Sequence, residues 1–339
     1  MMETKIISKE ALPELFGYLA SAGKKIFAPV RKEGFVNFSF VKRFEEIEMQ
    51  TIQTKMSAKP AAFPKIEKLL NYNITKEGQS FEEYDMDRFP EIVIWGAHPC
   101  DAASFHPLKA VFTWETDDKY FTKRLEKLLV IGLSCVAHDE YCFCTSVNVH
   151  PGDTAGSDIL LTPLPDGNYL AEIVTEKGKS ITDALPGIFT DAPEVDKEKL
   201  ITKVEKRFSV DELHTKINGM FEHPVWKGQA LRCIGCGACT YVCPICSCFD
   251  IQDEGGIFGG KRYRCWDSCG FGHFTIHTSG HNPRETQDTR WRQRLMHKFS
   301  YQPQRQEVFG CVGCGRCSRS CPVDMNISEH LTQIMEVQS

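Results

Sequence analysis

The chain has 339 residues, a formal net charge of −5, 42% hydrophobic residues and 25% charged residues. This composition is ordinary for a globular protein, so it excludes a disordered chain, and the acidic balance gives no reason to expect a nucleic-acid partner. No apolar run is long enough for a bilayer span or a signal-peptide core, so we expect no direct membrane insertion. The length predicts more than one domain.

The first predicted elements form a packing module without a catalytic signature. Residues 8–20 predict a helix with Ser8 as its N-cap, because apolar side chains recur there at helical spacing. Phe35, Phe38 and Phe40 lie in a stretch typical of a strand.

A β-α-β unit follows this module. Residues 92–95 and 128–131 are short apolar runs, each followed by a glycine, with a helical stretch between them. They predict two parallel neighbouring strands with a right-handed crossover. Residues 159–162 and 169–174 flank a turn and predict a hairpin. The charged residues 191–206 predict the start of an outer helix.

Four cysteines follow the two predicted parallel strands. They are Cys100, Cys135, Cys142 and Cys144. Ligand sites in open α/β sheets lie beyond the carboxyl ends of the strands, so we expect these thiols to converge there. We interpret them as ligands of a 4Fe-4S cluster, and packing of buried free cysteines is the alternative.

Two cysteine runs near the carboxyl end share the spacing C-x2-C-x2-C-x3-C-P, the pattern of two-cluster ferredoxins. In that pattern three cysteines of one run hold a cube and the fourth reaches across to the other. The predicted ligands of one cluster are Cys233, Cys236, Cys239 and Cys321. The predicted ligands of the other are Cys311, Cys314, Cys317 and Cys243. Neither a zinc site nor a disulfide framework requires such runs.

The chain is therefore expected to hold three 4Fe-4S clusters in two domains. Residues 1–223 predict an α/β domain with a short parallel sheet, and residues 224–339 a mainly helical, two-cluster ferredoxin-like domain with a long insert. The insert is rich in Arg and Lys, which either lie near anionic clusters and raise their potentials or form a solvated face.

Four further cysteines lie in the insert. They are Cys246, Cys248, Cys265 and Cys269. They could bind a further metal or cluster or be packed thiols. The closeness of Cys246 and Cys248 to the predicted ligand Cys243 favours packing, because a separate site would require a sharp chain reversal there. The role of Cys265 stays open.

These motifs resemble a known family across nearly the whole chain. The resemblance rests on the segments GAHPCDAASF, IGLSC, CFCTS, CIGCGACTYVCPICSCFD, RCWDSC, GHNPR and CVGCGRCSRSCP. They are similar to the iron–sulfur beta subunit of cytoplasmic nickel–iron hydrogenases of the sulfhydrogenase type, and they also resemble the A-type iron–sulfur subunit of anaerobic sulfite reductase. The resemblance implies a non-catalytic, cytoplasmic electron-transfer subunit. It also implies two neighbours, an FAD-containing NAD(P)H-reductase-like subunit and a catalytic metal subunit, either a nickel–iron hydrogenase or a siroheme reductase.

Two other classes compete with this interpretation. One is a catalytic iron–sulfur enzyme in which the thiols of the insert act on a disulfide or sulfur substrate, and the other is a zinc-stapled scaffold. The chain shows no phosphate loop and no dinucleotide fingerprint, so we expect flavin and nicotinamide to bind elsewhere in the complex.

Overall fold

The computed structural model describes residues 3–338, which form a sheet-based amino-terminal region and a helical carboxyl-terminal region. The strands are β1 Glu3–Ile7, β2 Lys25–Lys32, β3 Phe35–Val41, β4 Ile66–Thr75, β5 Gly78–Glu83, β6 Ile92–Ala97, β7 Leu128–Leu133, β8 Ile159–Pro163, β9 Tyr169–Ile173, β10 Phe189–Asp191, β11 Phe249–Gly256 and β12 Gly259–Trp266. The α-helices are α1 Leu12–Ser21, α2 Pro99–Ala103, α3 Phe105–Phe112, α4 Lys119–Glu126, α5 Glu176–Ala184, α6 Val210–Ile217, α7 Val225–Ala230, α8 Ala238–Tyr241, α9 Gln287–Met296, α10 Gln302–Gln306, α11 Arg316–Arg319 and α12 Ile327–Glu336.

The main sheet is mixed, with the strand order β10-β1-β9-β8-β7-β6-β2-β3. Its centre, β2, β6, β7 and β8, is parallel, and the flanking pairs are antiparallel. The predicted short parallel sheet is therefore the middle of a larger mixed sheet. Every residue of β6 and β7 is buried, which explains why their sequences are continuous apolar runs and do not alternate.

Several local predictions can be compared with this fold. Ser8 accepts a hydrogen bond from Ala11 N at 3.2 Å and starts a 3-10 turn that leads into α1. The β8–β9 hairpin forms as predicted. The outer helix predicted for residues 191–206 is wrong, because that stretch contains only the short turn Lys197–Lys199. Asp191 is already paired with β1, and Pro193 opposes a helix directly after it.

A second sheet joins distant parts of the chain in the order β11-β12-β4-β5. The insert between the cysteine runs supplies β11 and β12, so the carboxyl-terminal half contains strands that its mainly helical prediction did not include. Buried Arg264 of β12 holds this sheet to its neighbours through ion pairs with Glu67 and Asp118. Because the sheet combines residues from before and after position 223, the predicted domain boundary stays a prediction.

The helical core of the carboxyl-terminal region positions the cysteine runs. Helices α6, α7, α9 and α12 bury Leu213, Trp226, Trp291, Leu295 and Leu331 in one apolar cluster, against which several run cysteines pack. Within residues 3–338 no helix combines the length and the apolar composition needed to cross a membrane.

Candidate iron–sulfur centres

The first cysteine run curls around a cavity that also receives the last cysteine of the second run. The four sulfur-bearing residues are Cys233, Cys236, Cys239 and Cys321. Gly235 and Gly237 have φ angles of 68° and 72°, a region that glycine adopts without a Cβ penalty, so the loop can turn sharply between successive cysteines. The fold thus places together the four residues that the crossed pattern predicts for one cluster. We call this cavity the first site.

The first site offers hydrogen-bond donors suited to an anionic group. Arg294 is 4% exposed, has no carboxylate partner among the described residues, and donates from Nη2 to the carbonyl of Cys239 at 3.1 Å. Its buried Nε has no hydrogen-bond partner in the described chain. Gln287 Nε2 donates to Cys233 Sγ at 3.1 Å. A thiolate-ligated cube is anionic, so a buried, uncompensated guanidinium fits such a group.

The second run meets the first through Cys243, which is buried in one cluster with Cys314. Lys298, 4% exposed, donates from Nζ to Cys243 Sγ at 3.4 Å and to the carbonyl of Gly310 at 2.6 Å. The lysine therefore joins the crossing ligand to the residue that precedes Cys311. We call the surroundings of Cys311, Cys314, Cys317 and Cys243 the middle site.

Burial controls the protonation of the middle-site thiols. It raises the pKa of Cys311 to about 12 and of Cys314 to about 11, and the charge of Cys243 adds to both shifts. The pKa of Cys317 is raised by the same two causes, with burial again the larger. These thiols are neutral at pH 7 in the metal-free chain, so metal binding must release protons.

The four amino-terminal cysteines converge at the carboxyl edge of β6 and β7, where they line a single cavity, which we call the amino-terminal site. They are Cys100, Cys135, Cys142 and Cys144. Burial raises the pKa of both Cys135 and Cys144 to about 12. The convergence agrees with the expectation that ligand sites lie at the carboxyl ends of parallel strands.

Three of these four sulfurs have polar neighbours from other elements. Gln53 Nε2 donates to Cys100 Sγ at 3.4 Å, and Arg319 Nη2 donates to Cys142 Sγ at 3.2 Å. His98 Nδ1 lies 3.5 Å from Cys135 Sγ and 3.2 Å from the carbonyl of Leu133. Hydrogen bonds to cluster sulfurs contribute to cluster potentials, so these contacts suit a redox site.

Two arginines of the second run connect it to the amino-terminal site. Arg316 is 1% exposed, forms an ion pair with buried Asp101 at 2.6 Å, and donates from Nε to the carbonyl of Thr54 at 2.9 Å. Arg319 Nε donates to Asp139 Oδ2 at 2.7 Å. Because these contacts cross between the regions, the two sites are held in a fixed relation.

The glycines of the second run also bring the regions into contact. Gly313 has a φ of 63°, and its carbonyl accepts a hydrogen bond from Phe143 N at 3.0 Å. A Cβ at Gly313 would overlap the backbone of Cys144. The loop of the middle site therefore packs directly against the loop that carries two cysteines of the amino-terminal site.

The insert cysteines divide into two groups. Cys246, Cys248 and Cys269 lie close to the run cysteines, whereas Cys265 lies within β12. Lys59, 2% exposed, donates to the carbonyl of Cys246 at 2.8 Å, and burial lowers its pKa to about 8. Within residues 3–338 no three His, Cys, Asp or Glu side chains are close enough to share a single metal ion.

Sequence reasoning missed several residues of these sites. Arg316 and Arg319 stand inside the second run, so their position beside predicted ligands was an available signal. Lys59 and Gln53 carry no local signal, because only the fold brings them to the cysteines. Of the basic residues of the insert, Arg294 and Lys298 are buried beside cysteines, and they are not part of a solvated face.

Comparisons with known proteins agree with this arrangement. Residues 232–325 match a family model described as a 4Fe-4S dicluster domain, which spans both runs and the insert. The whole chain is similar to the sulfhydrogenase 2 subunit beta of Pyrococcus furiosus. The two are 31% identical over 342 residues, which cover 98% of this chain and 97% of that protein.

Proposed function

The chain belongs to the family of sulfhydrogenase beta subunits, and we propose that it is a non-catalytic electron-transfer subunit of a multisubunit oxidoreductase. The observation that carries this proposal is the grouping of twelve cysteines into three adjoining sites. A 4Fe-4S cluster in each site would supply one-electron exchange. The twelve proposed ligands are the cysteines of the first, middle and amino-terminal sites.

Shared wall residues support a single order for the three sites. Cys317 of the middle site lines the cavity of the first site, and Cys314 of the middle site lines the cavity of the amino-terminal site. The middle site therefore lies between the other two. Each end approaches solvent, since Cys236 is exposed and Val136, next to Cys135, is 55% exposed. Electrons would enter at one end of the row and leave at the other.

The partners at the two ends follow from the family. An FAD-containing NAD(P)H-reductase-like subunit would exchange electrons with one end, and a catalytic metal subunit with the other. A nickel–iron hydrogenase is the favoured catalytic partner because the relative is named a sulfhydrogenase. A cytoplasmic location is part of the same proposal, since every described cysteine is a free thiol, as a reducing compartment requires.

Iron and sulfide analysis of the anoxically purified chain tests the number of clusters. We expect about twelve iron and about twelve sulfide per chain, from four of each per cube. Low-temperature EPR of the reduced protein should then show interacting clusters. About eight iron, with the amino-terminal cysteines open to alkylation, would reject the third cluster and retain the other two.

Activity measurements test the non-catalytic role. The isolated, fully loaded chain should oxidise reduced viologen dyes through its clusters but show no turnover with hydrogen, NAD(P)H, sulfite or polysulfide. Turnover of any of these substrates by the isolated chain would overturn the proposal. Co-purification from the native source should recover a nickel-containing subunit, whereas recovery of a siroheme subunit would place the chain in a sulfite reductase.

A further inference from the structure

Two thiols of the insert face each other at the open end of the β11–β12 hairpin. Cys248 precedes β11 and Cys269 follows β12, and the pairing of Phe249 with Trp266 brings these chain ends together. Asp267 N donates to the carbonyl of Cys248 at 2.9 Å. The thiol of Cys269 donates a hydrogen bond to the sulfur of Cys248. The hairpin therefore holds the two sulfurs in contact.

The two thiols are chemically unequal. The hydrogen bond from Cys269 keeps the pKa of Cys248 below its usual value, and the same bond raises the pKa of Cys269. Nearby Arg294 favours the thiolate form of both. A thiolate that accepts a hydrogen bond from a neighbouring thiol is the arrangement from which a disulfide forms.

The pair lies against the first site. Cys269 and Gly270 line the same cavity as Cys239. The turn that carries them is packed tightly on the first run, because a Cβ at Gly237 would lie only 2.5 Å from the ring of Phe271. Fully buried Ser268 braces this turn by accepting a hydrogen bond from Gly270 N at 3.0 Å.

We propose that Cys248 and Cys269 form a reversible disulfide that stores an electron pair beside the first site. The inference rests on the proposed function, because oxidised 4Fe-4S clusters at the first and middle sites are the oxidant. On oxidation the Cys248 thiolate and the Cys269 thiol lose one proton and two electrons as one S–S bond forms. The proton passes to water, since both residues are partly exposed.

The electron balance closes within the chain. Each of the two oxidised clusters takes one electron, and the reverse step breaks the S–S bond with one electron from each reduced cluster and one proton. The potentials of protein dithiols fall inside the wider range spanned by iron–sulfur clusters, so the exchange is thermodynamically accessible. The pair would convert two single-electron carriers into a two-electron store.

The other two insert thiols do not fit this role. Cys246 is hydrogen-bonded to Cys243, which is a proposed ligand of the middle site. Cys265 lies within β12 opposite Asp250 on one side and Ile66 on the other. Cys265 is therefore the matched control, a partly buried cysteine of the same hairpin that lacks a facing cysteine across either strand.

Differential alkylation of the cluster-loaded chain tests the proposal. The protein is equilibrated with redox mediators at a series of potentials and denatured in excess N-ethylmaleimide. It is then reduced, labelled with heavy N-ethylmaleimide and digested for mass spectrometry. We expect Cys248 and Cys269 to change label together, with the steepness of a two-electron couple, while Cys265 carries the light label throughout. Cys248→Ser should leave Cys269 light at every potential, and Cys269→Ser should do the same to Cys248.

The iron content separates the possible failures. Light label on Cys248 and Cys269 at all potentials, in a sample with about twelve iron per chain, overturns the dithiol proposal and leaves the electron-transfer function intact. A chain without iron after anoxic purification overturns the function itself. Heavy label on Cys265 equal to that on Cys269 would indicate unspecific oxidation and would also overturn the proposal. Cys246→Ser should leave the switching of the pair unchanged.

Discussion

The first site and the amino-terminal site each use four thiols but assemble them differently. Three ligands of the first site come from one short loop, whereas those of the amino-terminal site come from the ends of β6 and β7 and the following loop. The parallel register of Ile94 with Val130 sets how Cys100 and Cys135 face each other. A cluster site can therefore be written in a local motif or in the register of a sheet.

The charges around the two regions differ in the same way. Buried Arg294 and Lys298, near the first and middle sites, have no carboxylate partners among the described residues, whereas Arg316 and Arg319, near the amino-terminal site, are paired with Asp101 and Asp139. A buried charge without a partner destabilises the fold until a counter-charge arrives. We infer that the carboxyl-terminal region depends on its metal for stability, and that the amino-terminal site is largely preassembled by its sheet.

Metal removal should break this comparison most visibly. After iron is chelated anoxically, we expect hydrogen exchange to lose most of its protection in α9 and α12, because uncompensated Arg294 and Lys298 favour opening. Protection of β6 and β7 should be retained. Equal loss in both regions, or greater loss in the sheet, would contradict the inferred difference.

Single ligand substitutions should remove one site at a time. Cys321→Ser is expected to remove about four of about twelve iron and the EPR signal of the first site, while the other two clusters stay. Loss of the middle-site signal in its place would reject the crossed arrangement. Cys265→Ser, within the insert hairpin, should keep the full iron content.

Cys135→Ser is the counterpart at the sheet edge. It should also remove about four iron, while leaving the EPR signals of the two carboxyl-terminal clusters unchanged. Retention of full iron content, measured together with intact secondary structure by circular dichroism, would show that Cys135 is a packed thiol.

The contact between the regions can be tested at Gly313. Gly313→Ala combines a left-handed backbone with overlap of the Cys144 backbone, so the free energy of unfolding should fall by more than the roughly 1–3 kcal/mol expected from backbone strain alone. Gly34→Ala is the matched control, because its φ is 81° and a Cβ there meets nothing within 4 Å. Equal losses in urea denaturation would show that the loops do not pack as described.

The smallest expected effect is on cluster potential. Lys298→Gln removes an unpaired positive charge beside Cys243, so the midpoint potential of the middle cluster should fall by about 59 mV, a tenfold change for a one-electron couple. Arg319→Gln should lower the amino-terminal potential less, because Asp139 already balances that charge. Lys298→Arg should preserve the potential. EPR-monitored redox titration measures all three.

The cysteine runs, the β-α-β unit and the convergence of the amino-terminal cysteines were predictable because each follows from short-range pattern. Thiolate spacing in a loop and apolar runs in buried parallel strands depend on neighbouring residues alone. The wrong helix at residues 191–206 shows the limit, since charge there carried no periodic apolar face and β1 captured its first residue.

The amino-acid sequence by itself determined the iron–sulfur chemistry of the carboxyl-terminal runs and the family to which the chain belongs. Only the tertiary structure decided the linear order of the sites, the pairing of the insert hairpin with β4, and the burial of Lys59 and Arg316 among the cysteines. Ligand spacing is a property of a few consecutive residues. Site order, charge balance and the contact between Cys248 and Cys269 depend on which distant segments pack together.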